Sequence, residues 1–226
     1  MQDGIPIALG YISVSFTFGL MAVAVGMTWW QAVLISMTNL TSAGQFAGLE
    51  IMVAGGSLIE TALTQFVINL RYALMSLSLS QKVDKTMDTI NRFLVSFGVT
   101  DEIFAVAMSR KNAASKNYMY GLISIPYIGW AVGTAMGALL GGVLPEVIGN
   151  ALGIAIYGMF LAIIVPQARD DSHCRKVILL AVVMSCCFRW TPGLKKLSSG
   201  FVIIICSVTA SAVGAFLYPI EEETKV

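Results

Sequence analysis

The sequence predicts an all-α polytopic membrane protein, and three observations carry that prediction. Hydrophobic residues make up 57% of the 226 and charged residues only 12%, against about 45–50% and about 25% in soluble domains. Mean hydropathy is +0.79. The apolar residues gather into about seven or eight segments, judged against the roughly 20 residues that a helical crossing needs. The same numbers exclude a soluble globule and a disordered chain. A net charge of +1 gives no general pull towards nucleic acid. No GxxxxGK[ST] run is present to bind and hydrolyse ATP. The chain reads as a single transmembrane domain, 1–226, with no secretory leader, because no Lys or Arg precedes the first apolar stretch.

The first segment runs from Gly4 to about Met27 and is opened by Pro6. Gly10, Gly19 and Gly26 suit close helix packing. The second, about Trp29 to Val53, is interrupted by Thr41-Ser42-Ala43-Gly44-Gln45. Small polar residues and a glycine there favour local unwinding, and freed backbone groups can line a cavity; a tight helix crossing is the alternative. The third runs from about Leu58 to Ser80. The fourth, Phe93 to Ser109, carries Thr100-Asp101-Glu102 near its middle, between a polar loop, 81–92, and a basic loop, 110–116. The fifth, about Tyr118 to Gly142, contains Pro126. The sixth, about Val147 to Val165, is expected to stop at Pro166, before a charged loop, 168–176. The seventh, Val177 to Phe188, is too short for a full crossing, and the eighth is about Ser199 to Tyr218. An acidic tail at Glu221, Glu222 and Glu223 follows.

Orientation rests on the distribution of Lys and Arg between alternate loops. The loops on both sides of the fourth segment are basic, as are those flanking the seventh. Half-crossing, re-entrant segments produce that pattern, so one or more segments are expected to be broken. An internal repeat is a further possibility: Gly10-Tyr-Ile-Ser13 recurs as Gly121-Leu-Ile-Ser124, and Gly26 meets Gly137 at the same offset.

The informative residues are those that cost energy in hydrocarbon, where a charge at a helix centre costs about 2.5–3.5 kcal/mol or more. Arg71 lies midway between Glu60 and Lys82, about 16 Å from each at 1.5 Å per residue. Thr61, Gln65, Asn69, Tyr72 and Ser76 form one polar stripe on the same helix. The stripe either joins helices through hydrogen bonds or lines a solute pathway. Asp101 and Glu102 point about 100° apart on an unbroken helix, so both face one spot only if the helix breaks there. One carboxylate either neutralises Arg71 or serves as a proton site, the other meeting a substrate ammonium.

Other features carry less chemistry. Gly133, Gly137 and Gly141 form a packing face, internal or towards another subunit. Cys174, Cys186, Cys187 and Cys206 lack metal or disulfide spacing and read as small hydrophobes. Asp170, Asp171, His173 and Cys174 match no zinc pattern, and a single histidine leaves no buried base for catalysis. No metal, cofactor or enzymatic activity is expected. Arg189-Trp190 marks a membrane interface.

Ile5-Pro-Ile-Ala-Leu-Gly10, Phe18-Gly19, Ser42-Ala43-Gly44-Gln45-Phe46, Asn69-Leu70-Arg71, Asp101-Glu102 and Phe160-Leu-Ala-Ile-Ile-Val-Pro166 together resemble the AzlC-type branched-chain amino acid permeases, from about Gly4 to Tyr218. The resemblance implies a bacterial inner-membrane exporter of branched-chain amino acids, driven by the proton gradient. It also implies a small hydrophobic partner of the AzlD type. A zwitterion needs a donor for its carboxylate, an acceptor for its ammonium and an apolar wall. Arg71 offers a bidentate fork, and a half-helix N-terminus at Ser42 and Gly44 is the alternative carboxylate site. Asp101 or Glu102 takes the ammonium or the coupling proton, and Gln45, Gln65 and Asn69 supply neutral hydrogen bonds. Permanent pairing of Arg71 with Asp101, leaving substrate to the neutral groups, is equally consistent with the sequence. A channel, a carrier for another small polar solute, or a subunit inactive without its partner are the rival readings.

Overall fold

A computed structural model describes residues 2–141, 161, 164–194 and 197–218. Among these residues the chain is helical, with one isolated β-bridge between Val83 and Ala114. The helices are α1 (Ile5–Ala24), α2 (Trp29–Thr38), α3 (Ser42–Val53), α4 (Leu58–Ser80), α5 (Thr89–Phe97), α6 (Asp101–Ser109), α7 (Lys116–Leu140), α8 (Ser172–Trp190) and α9 (Ser199–Leu217). They fall into two compact units, one built from residues up to 49 and from 68 through α7, the other from 50–67 and the C-terminal helices.

The frame of the first unit is α1 laid parallel against α7. A Cβ on Gly137 would come within 1.9 Å of the Phe16 carbonyl oxygen. One on Gly133 would come within 2.1 Å of Ser15 Oγ, and one on Gly19 within 2.1 Å of the Thr134 carbonyl. No side chain survives such distances, so glycine is what lets the two backbones touch. The packing face is therefore internal, and it is built from Gly129, Gly133 and Gly137, with Gly19 opposite, rather than from Gly133, Gly137 and Gly141. Pro126, inside α7, leaves the Leu122 carbonyl without its helical donor, and Gly4 lies directly against that oxygen. The sequence echo between the two helices does not extend to matching roles. Gly26 turns the chain after α1 at φ +92°, whereas Gly137 sits mid-helix.

The second and fourth hydrophobic segments are each two half-length helices that turn back on themselves. The α5–α6 pair leaves from and returns to the end of the unit where α7 begins. Lys82, before α5, donates from Nζ to the Met108 carbonyl at the end of α6. The Ala114 amide donates to the Lys82 carbonyl at 3.0 Å, and the Lys116 amide to Thr86 Oγ1 at 3.1 Å. The turn at Gly98-Val99-Thr100 lies inside: Gly98 packs on Ile123, and the Phe97 ring meets the Tyr127 ring at 6.2 Å. These positions are about 10–16 Å along α7 from Lys116.

The α2–α3 pair enters from the other end, where α1 finishes. Ser36 Oγ is 2.7 Å from Thr134 Oγ1, and Tyr127 Oη donates to the Met37 carbonyl at 2.9 Å. The chain then reverses. Gln45 reaches back to Ser36 Oγ at 3.2 Å and to the Asn39 carbonyl at 2.7 Å. Phe46 stacks edge-on against Phe18, 5.5 Å between centroids, two turns beyond Tyr11 on α1. The break is Asn39-Leu40-Thr41, and Ser42 to Gln45 form the first turn of α3. The expected unwinding at 41–45 is thus displaced towards residue 39, because Gln45 is the residue that closes the turn.

Residues 68–80 of α4 complete the unit. Phe66, Leu70, Leu74 and Leu77 are exposed along one face of α4, while Asn69, Tyr72 and Ser76 are half-buried on the other. The apolar face outward and the polar stripe inward are what lipid demands.

In the second unit α8 and α9 run antiparallel. A Cβ on Gly214 would meet Val177, and the His173 and Tyr218 rings lie 4.2 Å apart. The segment expected as a charged loop is instead helical at 164–170, Pro166 included, and again from Ser172. Asp171 caps α8 by accepting from the His173 amide at 2.7 Å. Among the described residues three helices are long and apolar enough to cross a bilayer: Gln2–Ala24, α7 and α9. Most of the sixth segment and the tail at Glu221 to Glu223 lie outside the described residues.

Candidate functional site

The two hairpin turns meet inside the first unit, and three helices wall them in. On one wall Tyr11 of α1 packs against Leu40 of the α2–α3 turn and lies edge-on to Trp130 of α7, 5.1 Å between centroids. Its hydroxyl is 2.5 Å from Thr100 Oγ1 and donates to Glu102 Oε2 at 2.7 Å, both in the α5–α6 turn. On the other wall Arg71 pairs with Asp101, Nη1 to Oδ2 at 2.9 Å. Arg71 Nη2 also donates to Tyr72 Oη at 3.1 Å, and Tyr72 Oη donates to Thr41 Oγ1 at 3.4 Å. Contacts therefore close a ring: Thr41, Tyr72, Arg71, Asp101, Thr100, Tyr11, Leu40 and back to Thr41.

The break at Gly98-Val99-Thr100 resolves the problem of two adjacent carboxylates. Thr100 caps α6 by accepting from the Ile103 amide at 3.5 Å. Asp101 and Glu102 then occupy the first turn, where the positive end of the helix dipole favours negative charge. They diverge, Asp101 to Arg71 and Glu102 to Tyr11. The α3 end carries no acid in its first turn. Two half-helix N-termini thus converge at mid-depth, one with two carboxylates and one without.

The ion pair is reachable rather than sealed. The Arg71 and Asp101 side chains keep 42% and 30% of their surface. Arg71 Nε and Asp101 Oδ1 have no hydrogen-bond partner. Each ion therefore retains an unused polar atom beside the one committed to the other. Gln45 is deeply buried, with its amide nitrogen bonded and its Oε1 without a partner. Ser42 and Gly44 stand in the first turn of α3. Asn69 lies on α4 two residues before Arg71, and Gly44 and Asn69 both have interaction partners. Gln65 belongs to the other unit, where it too is engaged. No group of three or more His, Cys, Asp or Glu placed to hold a metal occurs among the described residues.

Two residues escaped the sequence reading. Tyr11 looks like an ordinary aromatic in an apolar helix, and only the fold shows it bridging both turns. Glu60 marked the membrane end of α4, yet it is 96% buried in the second unit. It accepts from Ser198 Oγ at 2.5 Å and from the Gly200 amide at 3.2 Å at the start of α9.

A family profile described as AzlC protein matches residues 6–144, which include both hairpins and every member of the ring. The chain belongs to the AzlC family. Inner membrane protein YgaZ of Escherichia coli is 34% identical over 137 residues, 59% of this chain and 56% of that protein. The chain thus matches little more than half the length of YgaZ. An uncharacterized membrane protein of Archaeoglobus fulgidus is 32% identical over 175 residues, 76% of each chain. One of Helicobacter pylori is 24% identical over 133 residues, 58% of each. No solved structure matches. AzlC membership and these membrane-protein relatives point to a role in membrane transport rather than catalysis.

Proposed function

We propose that the chain is a secondary carrier that exports small apolar, branched-chain amino acids across the cytoplasmic membrane. The observation that carries this reading is the convergence of two opposed half-helix N-termini on a reachable Arg71–Asp101 pair. Discontinuous helices that meet at the midplane supply fixed dipoles and charges to a polar solute. A zwitterion matches that set. Its carboxylate takes Arg71, with Ser42 and Gly44 at the acid-free α3 end, and its ammonium takes Asp101. Entry of the substrate exchanges the internal ion pair for two external ones, so the charges are never left bare. Gln45 and Asn69 serve as the neutral hydrogen-bonding groups, and Glu102 carries the coupling proton. The family resemblance supports a small hydrophobic membrane partner of the AzlD type.

Charge distribution supports an orientation. Lys82, Lys85, Arg92, Arg110, Lys111 and Lys116 cluster at the end where α5–α6 is rooted, while the 25–28 turn at the other end has neither Lys nor Arg. The positive-inside rule makes the basic end cytoplasmic. The two basic loops flanking the fourth segment then lie on one face, as a re-entrant hairpin requires.

The test is efflux of radiolabelled leucine and valine from preloaded proteoliposomes, with and without an imposed pH gradient, and with and without the small partner. Gradient-dependent efflux that Arg71→Met and Asp101→Asn each abolish is the expected outcome. Intact flux in both variants would overturn the site, and single-channel conductance would overturn the carrier.

A further inference from the structure

We infer that Tyr11 and Tyr72 are the two gate-positioning residues of the transport cycle, each pinning the hairpin that belongs to the other's half of an inverted repeat. The inference rests on the carrier reading above. In the first half, α1 crosses from the basic end and the α2–α3 hairpin enters from the opposite end. In the second half, α4 runs towards the basic end and the α5–α6 hairpin enters from there. The two halves have the same parts in opposite orientation. Their key residues keep nearly one spacing: Tyr72 follows Tyr11 by 72 − 11 = 61 positions and Thr100 follows Thr41 by 100 − 41 = 59. Each threonine opens its half-helix in the same way. The Thr41 carbonyl accepts from the Gln45 amide at 3.0 Å, and the Thr100 carbonyl from the Phe104 amide at 2.8 Å.

The contacts are exchanged between the halves. Tyr11 of the first half bonds Thr100 of the second, and Tyr72 of the second bonds Thr41 of the first. Residue i meets j' and its counterpart meets j, the signature of a two-fold relation. A hairpin tip that enters from one face blocks the path to that face, so releasing it opens the site there and nowhere else. Alternating access then needs one pin to break while the other holds. The two are unequal in this structure. Tyr11 to Thr100 is 2.5 Å, while Tyr72 to Thr41 is 3.4 Å, beyond the usual 2.5–3.0 Å range of an O–H···O bond. Tyr11 also holds Glu102 of the same hairpin, so the α5–α6 tip is the more firmly pinned of the two.

The test labels single cysteines at the buried tips, Val99→Cys and Leu40→Cys, with a membrane-impermeant thiol reagent. It uses sealed vesicles of both orientations and the full chain with Cys174, Cys186, Cys187 and Cys206 replaced by serine. Tyr11→Phe keeps the ring against Trp130 and removes only the hydroxyl. It is expected to raise Val99→Cys labelling from the basic end by roughly 10-fold or more, since the hydroxyl's bonds to both Thr100 and Glu102 are lost, and to leave Leu40→Cys unchanged. Tyr72→Phe also removes the Arg71 Nη2 bond to the hydroxyl, and it is expected to do the reverse from the other end, by roughly 2-fold because its bond to Thr41 is already long. Thr100→Val and Thr41→Val remove the threonine end of each pin without altering α1 or α4; Thr100→Val also uncaps α6 and leaves the Tyr11–Glu102 bond in place, and each is expected to shift labelling at the same tip as its tyrosine partner. Equal labelling changes at both tips, or no change at either, would overturn the assignment. The labelling needs no amino acid, so a failed leucine assay with reciprocal labelling would sink the substrate and leave the gates standing. Leucine flux with non-reciprocal labelling would do the opposite.

Discussion

The α2–α3 and α5–α6 hairpins are built to one plan and held by different physics. The α2–α3 turn is closed by neutral hydrogen bonds among buried side chains. Gln45, Ser36 and Thr134 are all buried and linked to one another. The α5–α6 turn is held by charge: Asp101 by Arg71, and Glu102 by the Tyr11 hydroxyl. A neutral buried network fixes one geometry and is costly to open partway. An ion pair that keeps a third of its surface can trade partners with a charged solute. The two hairpins thus differ in what holds them, buried neutral bonds at one and an exchangeable ion pair at the other.

The largest effect is expected from removing charge at the α5–α6 turn. Asp101→Asn leaves Arg71 without its counter-ion, and the thermal stability of the purified protein is expected to fall by about 1–3 kcal/mol. That is less than the 3–5 of a fully buried pair because both side chains are partly exposed. Adding Arg71→Met is expected to recover part of the loss. A double variant as unstable as the sum of the two singles would mean that the pair has no coupling. Gln45→Leu tests the other hairpin. It strips the Asn39 carbonyl and Ser36 Oγ of their donor, at an expected cost of about 1–3 kcal/mol. Unlike Asp101→Asn, this loss is expected to be independent of salt, and a salt-dependent loss would erase the contrast between the hairpins.

The smallest effect belongs to Asp88, which caps α5 at the exposed root. The Asn91 backbone N–H, and then its side-chain N–H, hold the Asp88 carboxyl below the usual carboxylate range. A depressed value stabilises the cap above the unfolded pKa of about 3.9, and the contribution is lost as pH falls through the folded value. A fall in the protection factor of the Asn91 amide on acidification, relative to the intrinsic exchange rate at each pH and absent in Asp88→Asn, is the expected result. An identical acid response in Asp88→Asn would show that the cap does not titrate there.

Composition signalled the membrane class, and Arg71 and the paired acids stood out residue by residue because charge is expensive in hydrocarbon. The broken segments were legible as polar interruptions, and the basic loops on both sides of the fourth segment already signalled re-entrance. The place of the α2–α3 break was not, since it depends on how far the Gln45 side chain reaches back. Tyr11 was invisible because a tyrosine in an apolar helix advertises neither its neighbours nor its depth. Glu60 was misjudged because sequence distance along α4 fixes height and says nothing of what covers the side. The glycine face of α7 was recognised, but only the fold shows that α1 fills it and which glycines it touches.

The turns at 39–41 and 98–100 also bear on how the protein is made. Non-helical backbone at that depth is tolerated only where protein surrounds it, and here the surroundings are α1, α4 and α7. The last of these is synthesised after α5 and α6. The second hairpin therefore has no niche when it leaves the ribosome. It is expected to wait at the membrane surface until α7 has entered and locked onto α1 through its glycines. Assembly runs walls first and plug afterwards, and a chain truncated after Ser115 is expected to leave residues 89–109 open to protease on the face where they emerged.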